Sequence, residues 1–452
     1  MSGNMNGIQP NHNNNMYKEF FRFAVPSVTG MVVTSLYTII DGIFVGRGVG
    51  ELALGSVNLV YPFIMLQIAV AMLFAFGGAN HYSMRKGRGE HASANNVFCQ
   101  SIAVLAVFAF ALNMFVILLP DQTAYLLGAD EKLAPGVKDY IFWVALFGIV
   151  YMPGVGVSIF VRNDNAPGLE MVGTLSGAIA NIILDYLFII EFGWGIAGAA
   201  IATGIGQMIA VTIYMSHFLR RNCTLRLRIP RFIFSDMLKV SYNGFATFLM
   251  EFSQSAIAFS FNLVLMAKLG PLGVASYSIV MYICSIFNMV LIGVVQGAQP
   301  IISFNHGQGN VGNENKIYRL AVGSNLTLTI LFYGLVFIFC KPLTELFITG
   351  NTQVTETAVE MMCLYFLGFF PIGISLMNIL YFQTTEQEGK SVFISVIRCL
   401  GFVQLFLVFL PGMIGIVGIY LSFLCGELCN CGVSSLLHIG VKEKAPVPVA
   451  DT

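Results

Sequence analysis

Twelve stretches, each long and apolar enough to cross a bilayer, occupy most of this chain of 452 residues. A helix needs about 20 apolar residues to span a hydrocarbon core of ~30 Å. The runs lie near 20–45, 52–80, 95–119, 138–161, 169–190, 195–219, 237–267, 273–302, 317–340, 357–382, 391–411 and 415–438. They predict an all-α integral membrane protein. Length alone would suggest several soluble domains, but only 10% of the residues are Asp, Glu, Lys or Arg. Globular proteins carry about 25%, so the charge is too sparse to coat a water-soluble surface. The 23 basic residues balance 23 acidic ones, and no basic tract precedes an aromatic platform, which excludes a nucleic-acid binder. The nine cysteines are scattered through apolar runs without CxxC spacing, the pattern of neither a disulfide framework nor a zinc site. Cys425, Cys429 and Cys431 are read as packing residues, with only Glu427 beside them as a further ligand type.

An even number of spans puts both termini on one side. With the termini in the cytoplasm, 18 of the 23 Lys and Arg fall on the inner side and five on the outer. Positive residues are retained on the cytoplasmic side during insertion, so this orientation is expected. The expected segments are a disordered cytoplasmic tail (1–17), a six-helix lobe (18–219), a basic cytoplasmic linker (220–236), a second six-helix lobe (237–438) and a cytoplasmic tail (439–452). Met1 to Met16 has no basic n-region and no small-residue cleavage site, so it does not read as a signal peptide.

Sliding the sequence against itself by 220 residues superposes Gly50, Leu52 and Ser56 on Gly270, Leu272 and Ser276. The same offset superposes Gly77, Ser83, Gly87 and Gly89 on Gly297, Ser303, Gly307 and Gly309. It also carries Gly195, Ile196 and Gly198 onto Gly415, Ile416 and Gly418. Each half therefore holds six spans, and six being even, the halves insert in the same orientation as two parallel repeats. Duplicated helical halves are the build of alternating-access transporters.

The stretches AVPSVTGMVVTSLYTIIDGIFVGRGVGELALGS (24–56), NIILDYLFI (181–189), GWGIAGAAIAT (193–203) and GVVQGAQPIISFNHGQG (293–309) resemble the multidrug and toxic compound extrusion (MATE) family. Within it, the sequence looks most like the bacterial branch typified by staphylococcal-type multidrug exporters. The resemblance implies a twelve-helix, two-lobe antiporter of the plasma membrane that expels cationic or amphipathic drugs in exchange for H⁺ or Na⁺. It implies no cofactor. One departure is plain: many members carry an Asp in the tenth span, whereas FLGFFPIGISLMNIL has no acid.

Ionisable side chains inside spans are costly and mark function by default. Asp41, Asp185 and Glu251 read as the three acids well inside the predicted spans. Tyr37 lies four residues before Asp41, and Asn181 four before Asp185, so each pair shares a helical face. Tyr37, Asn181 and Thr203 bring oxygens of the kind a proton relay or Na⁺ shell needs. The resemblance implies that Tyr37, Asp41, Asn181, Asp185 and Thr203 line the ion-coupling cavity of the N-terminal lobe, with Asp41 and Asp185 as metal ligands only if coupling is to Na⁺. At the 220 offset, Asp41 falls on Phe261 and Asp185 on Leu405, so the fold itself does not demand these carboxylates. Glu251, with Gln254 one turn on, is expected to bind a cationic substrate or act as a second protonation site. Its alternative is a static pair with Arg398. Pro26, upstream of Asp41, is a candidate hinge because a proline bends a helix.

The functional expectation is secondary multidrug efflux by a monomer, with small organic cations as substrates and the bilayer as its other partner. A P-loop is missing, so ATP is not expected to drive transport. The alternative is a flippase for lipid-linked oligosaccharides of the related superfamily, a task that wants basic residues in the cavity. HExxH, GxSxG and His-Asp motifs are missing too, so no enzyme is expected.

Overall fold

In a computed structural model the chain is described over residues 14–345 and 352–440. Among them are twelve helical segments long and apolar enough to cross a membrane, and no strand. The first six spans are α1 (Asn14–Gly48), α2 (Glu51–Gly87), α3 (His91–Leu118), α5 (Ala134–Asn163), α6 (Pro167–Asp185) with a π-helical extension Tyr186–Glu191, and α7 (Gly195–Met215). A short α4 (Pro120–Leu126) joins the third and fourth. The second six are α8 (Phe234–Leu269), α9 (Pro271–Gly307), α10 (Val311–Glu345), α11 (Thr352–Tyr365) continued by α12 (Phe369–Thr384), α13 (Glu388–Leu400) continued by α14 (Phe402–Ile414), and α15 (Ile416–Ile439). All twelve expected spans are present, in a multi-pass membrane protein.

Three of the six glycine pairs in the 220-residue repeat sit at tight turns. Gly50 and Gly270, Gly89 and Gly309, and Gly195 and Gly415 all have positive φ. A Cβ is disfavoured in that backbone region, so glycine at both members of each pair fixes where one span ends and the next begins. The serines repeat too. Ser56 Oγ donates to Leu52 O at 3.0 Å, and Ser276 Oγ to Leu272 O at 2.9 Å.

The helix α1 begins at Asn14, earlier than the expected end of the tail at residue 17. Met16, Phe20 and Phe23 are all buried, so apolar packing starts before the fully apolar run does. Residues 1–13 and 441–452, which hold most of the expected tails, lie outside the described residues.

The chain divides into two compact units, meeting in sequence at Gly244 and Phe245. The first unit includes the linker and the opening turns of α8. Helix α8 starts at Phe234, so the expected linker loses its last residues to the helix. Glycine is what lets α8 approach α2: a Cβ on Gly244 would fall 1.7 Å from Leu73 O, and one on Gly77 would fall 2.1 Å from Val240 O. Asn80 Nδ2 donates to Asn243 Oδ1 at 2.8 Å in the same crossing, and Arg85 forks onto both oxygens of Asp236 at 2.9 and 2.7 Å.

The linker is pinned rather than loose. Asn95 and Asn96 of α3 each exchange two hydrogen bonds with its backbone, at Arg226 (2.8 and 2.6 Å) and Arg231 (3.0 and 2.9 Å). Asp164, in the turn between α5 and α6, accepts from Lys86 Nζ at 2.6 Å, from Thr224 N at 2.8 Å and from Tyr82 Oη at 3.0 Å, and pairs with His217 Nε2 at 2.9 Å. Burial alone would raise its affinity for a proton. The His217, Lys86 and Thr224 bonds outweigh that and hold the carboxyl below the usual carboxylate range.

The second unit has a mixed core. Phe261, Tyr277, Tyr365 and Phe423 form one aromatic stack, with Phe261 and Tyr277 centroids 5.3 Å apart. The eleventh span breaks at Gly401, where a Cβ would meet Ile397 O at 2.5 Å. Three residues earlier, Arg398 is 2% exposed.

Candidate cation-coupling site

Helices α1, α6 and α7 of the first unit pack on one another and bring the expected residues together. The α6–α7 crossing is glycine-made. A Cβ on Gly206 would lie 2.6 Å from Gly177 O and 3.1 Å from Asn181 Cβ, and one on Gly177 would lie 2.7 Å from Gly206 O. Small residues let membrane helices approach at backbone distance. Just beyond that contact, Asn181 Nδ2 donates to Thr203 Oγ1 at 3.3 Å.

One turn further on, Asp185 is fully buried and neither of its oxygens has a hydrogen-bond partner. Asp41 of α1 faces it, close enough for the two carboxyls to interact directly, and Asp41 Oδ1 is likewise buried and unpartnered. Tyr37 lies beside Asp41, and Asn181 Oδ1 is another buried acceptor without a donor. Five expected residues thus form one cluster. Buried polar atoms in native proteins are nearly always satisfied, so this concentration of unsatisfied acceptors asks for a bound positive charge or ordered water. Two ionised carboxylates facing each other out of water repel, and a proton or a small cation between them removes the repulsion. Every open atom is an oxygen, which suits a hard cation such as Na⁺ as well as a proton.

Tyr140 of α5 belongs to the cluster and was not anticipated. It is 4% exposed and interacts electrostatically with Asp41, Asp185 and Tyr37. Nothing in YIFWVALFGIVY distinguishes it from a tyrosine at a membrane surface; only the packing of α5 on α2 and α7 turns it inward. The helix is α-helical up to Asp185 and then widens to the π form over Tyr186–Glu191, an irregularity often found at functional positions. Helix α1 runs through Pro26 as one helix, so the hinge assigned there remains an expectation.

The equivalent place in the second unit is filled differently. Phe261, the repeat mate of Asp41, stacks in the aromatic core, and Leu405, the mate of Asp185, is 49% exposed. The second unit closes with no carboxylate at either repeat position.

Glu251 of α8 does not form the expected pair with Arg398. Arg398 Nε donates instead to Glu427 Oε1 of α15 at 2.9 Å, with both side chains almost wholly buried. Glu251 lies near enough to feel the Arg398 charge and remains a candidate substrate or protonation group with Gln254. Glu427 is a further acid well inside a span, beyond the three the sequence singled out. Among the described residues no ion pair joins Glu251 to the Arg398 guanidinium.

One cysteine lies in a cluster that its sequence spacing does not reveal. Cys223, His217 and Asp164 come from three separate segments, yet their ligating atoms lie within 4.8 Å of one another, a spacing that could hold a metal ion. Asp164 already receives Lys86, His217 and Thr224 there, so the cluster is complete as an ion-paired clasp.

Two duplicated six-span units, the first holding a facing pair of carboxyls among its buried acceptors, define the class: a polytopic membrane protein of the two-lobe transporter type. The MatE family model matches residues 26–187 and 246–410, most of both units. The chain belongs to the MatE family. It is 23% identical over 429 residues to the multidrug export protein MepA of Staphylococcus saprophyticus, covering 94% of this chain and 93% of that one. It is also 23% identical over 434 residues to MepA of Staphylococcus aureus, with the same coverage. Among solved structures it matches a multidrug resistance MATE family transporter in an outward-facing conformation, with TM-score 0.88, 20% identity, and 93% of this chain and 95% of that one covered. A MOP superfamily transporter from Pyrococcus furiosus, described as having a binding pocket of reversed polarity, matches with TM-score 0.87 at 20% identity, with the same coverage of both chains.

Proposed function

We propose that this chain is a secondary multidrug exporter, which expels cationic or amphipathic compounds in exchange for H⁺ or Na⁺ by alternating access. The observation that carries the reading is the facing pair Asp41 and Asp185, whose buried oxygens lack partners in one unit, with apolar residues at the repeat positions in the other. The curated relatives named as multidrug export proteins support the substrate class. In this mechanism the pair holds the coupling cation, with Tyr37, Tyr140, Asn181 and Thr203 supplying neutral oxygens. Binding of cation and drug are mutually unfavourable, a coupling that must be reciprocal. Glu251 and Gln254 attract the positive charge of the substrate, and the chain works as a monomer without ATP or cofactor. Acids outnumber bases among the buried groups, which favours a cationic cargo over the pyrophosphate of a lipid-linked oligosaccharide.

Expressed in a bacterial host lacking its own pumps, the protein should lower accumulation of ethidium or tetraphenylphosphonium. A protonophore or withdrawal of Na⁺ should restore accumulation. If efflux stops on ATP depletion while the ion gradients are clamped, secondary transport is refuted. The proposed orientation places both termini in the cytoplasm. In a background without native Cys, a cysteine placed at position 130 should react with impermeant maleimide from outside, and one at 88 or 226 should not. Outside labelling at 88 would invert the topology.

A further inference from the structure

At one end of the first unit, α1, the start of α6 and the start of the linker enclose an open cavity of about 520 Å³. Arg22, Arg220, Asn165, Pro26, Leu169 and Val172 are among its lining residues. Its position is fixed by the spans: the fifth begins at Pro167 and the sixth ends at Leu219, so the cavity lies where chain leaves the apolar layer. The two arginines sit at that level. At ~1.5 Å rise per residue, Pro26 and Val172 are about one helical turn deeper along α1 and α6. A guanidinium pair at the interface with an apolar wall below it is complementary to an amphiphile with an anionic head.

The charges around the cavity favour that occupant. No acidic side chain is among the residues lining it. Glu170, beside it in the first turn of α6, is held by Arg162 at 2.8 Å. Glu19 is one turn from Arg22 and interacts with it. Arg22 otherwise donates only to Asn165 O at 3.4 Å, near the limit of a hydrogen bond, and Arg220 has no carboxylate partner among the described residues. Both guanidinium groups are exposed, whereas Arg85, Arg162 and Arg398 are each committed to a carboxylate. Val172, 46% exposed, continues the wall outward to where lipid chains lie.

We infer that this cavity binds an anionic phospholipid, its phosphate bridged by Arg22 and Arg220 and its chains lying against Pro26, Leu169 and Val172. Guanidinium–phosphate contacts are charge-assisted and can be bidentate. The site touches α1 beside Pro26, so an occupant would bear on the helix that carries Asp41.

The full-length protein, purified and delipidated in detergent, is titrated with phosphatidylglycerol and, separately, phosphatidylcholine, and bound lipid is counted by native mass spectrometry. The expected result is preferential binding of phosphatidylglycerol, weakened about 30-fold in R22Q/R220Q, on the basis of ~1 kcal/mol for each basic residue at a membrane surface. R221Q, which alters the neighbouring arginine outside the cavity lining, should leave it unchanged. R22K/R220K should retain most of the preference, because an ammonium still attracts phosphate. Val172→Glu, which places an acid in the apolar wall, should weaken binding with both arginines intact, so the test survives if R22Q/R220Q does not fold. Equal binding of the two lipids, or a phosphatidylglycerol preference that survives both R22Q/R220Q and V172E, would overturn the inference. Displacement of phosphatidylglycerol by glycerol 3-phosphate at equal concentration would also overturn it, by marking the site as one for a soluble phosphate compound.

Discussion

Asp41→Asn and Asp185→Asn should each abolish uphill export while leaving the amount of protein in the membrane unchanged. Asn keeps the shape of the side chain and removes the charge, so packing of α1 on α6 is preserved. The argument for an undamaged fold is internal to the molecule: Phe261 and Leu405 hold the equivalent positions in the second unit, which closes without a carboxylate. The argument for lost export is electrostatic. Asp185 has two unpartnered oxygens and Asp41 one, all buried, and an amide in either place can no longer exchange a proton or balance Na⁺. Dye accumulation in cells carrying either variant should return to the level of cells without the pump. Glu251→Gln should act differently, with a loss that varies among substrates, because that carboxylate is assigned to the cargo. Uniform loss across substrates in Glu251→Gln, alongside full efflux by the double variant of Asp41 and Asp185, would move the coupling site to the second unit.

The second large effect is on stability. Arg398 and Glu427 form an ion pair 2.9 Å long with side-chain exposures of 2% and 0%. Two charges taken out of water are tolerable together, and removing one strands the other, at a cost of about 3–5 kcal/mol. Arg398→Met should therefore sharply lower thermal stability in detergent, since it leaves the buried Glu427 without its cation. Glu427→Met should be milder, because Glu251 can draw closer to the freed guanidinium. Replacing both, R398M/E427M, should recover much of what Arg398→Met loses, as hydrophobic pairs of similar volume often match buried ion pairs. If Arg398→Met unfolds at the wild-type temperature, the pair contributes nothing to holding α13 against α15.

Much of this was legible in the chain. The spans follow from run length, and the repeat from glycines at a fixed offset, because a turn that needs positive φ tolerates little else. Asp41 and Asp185 stand out because an acid in an apolar run is costly, and helical spacing assigned Tyr37 and Asn181 to their faces. What sequence could not deliver were partners on different helices. Glu427 sits among Cys425, Cys429 and Cys431 and reads as packing until α13 brings Arg398 to it from 29 residues away. Tyr140 carries no local signal at all. Asp164, His217 and Cys223 are unremarkable singly and meet only because the linker folds back onto the ends of α2, α5 and α7.

The central claim is that Asp41 and Asp185 exchange a cation for the drug, and reconstitution tests it most directly. Purified protein in sealed liposomes is loaded with the coupling cation, and tetraphenylphosphonium is added while internal pH and Na⁺ are followed with separate indicators. The account predicts drug-driven release of H⁺ or Na⁺ by the wild type and none by the Asp41→Asn, Asp185→Asn double variant, although that variant still binds the drug. Equal cation release by the two proteins would contradict it.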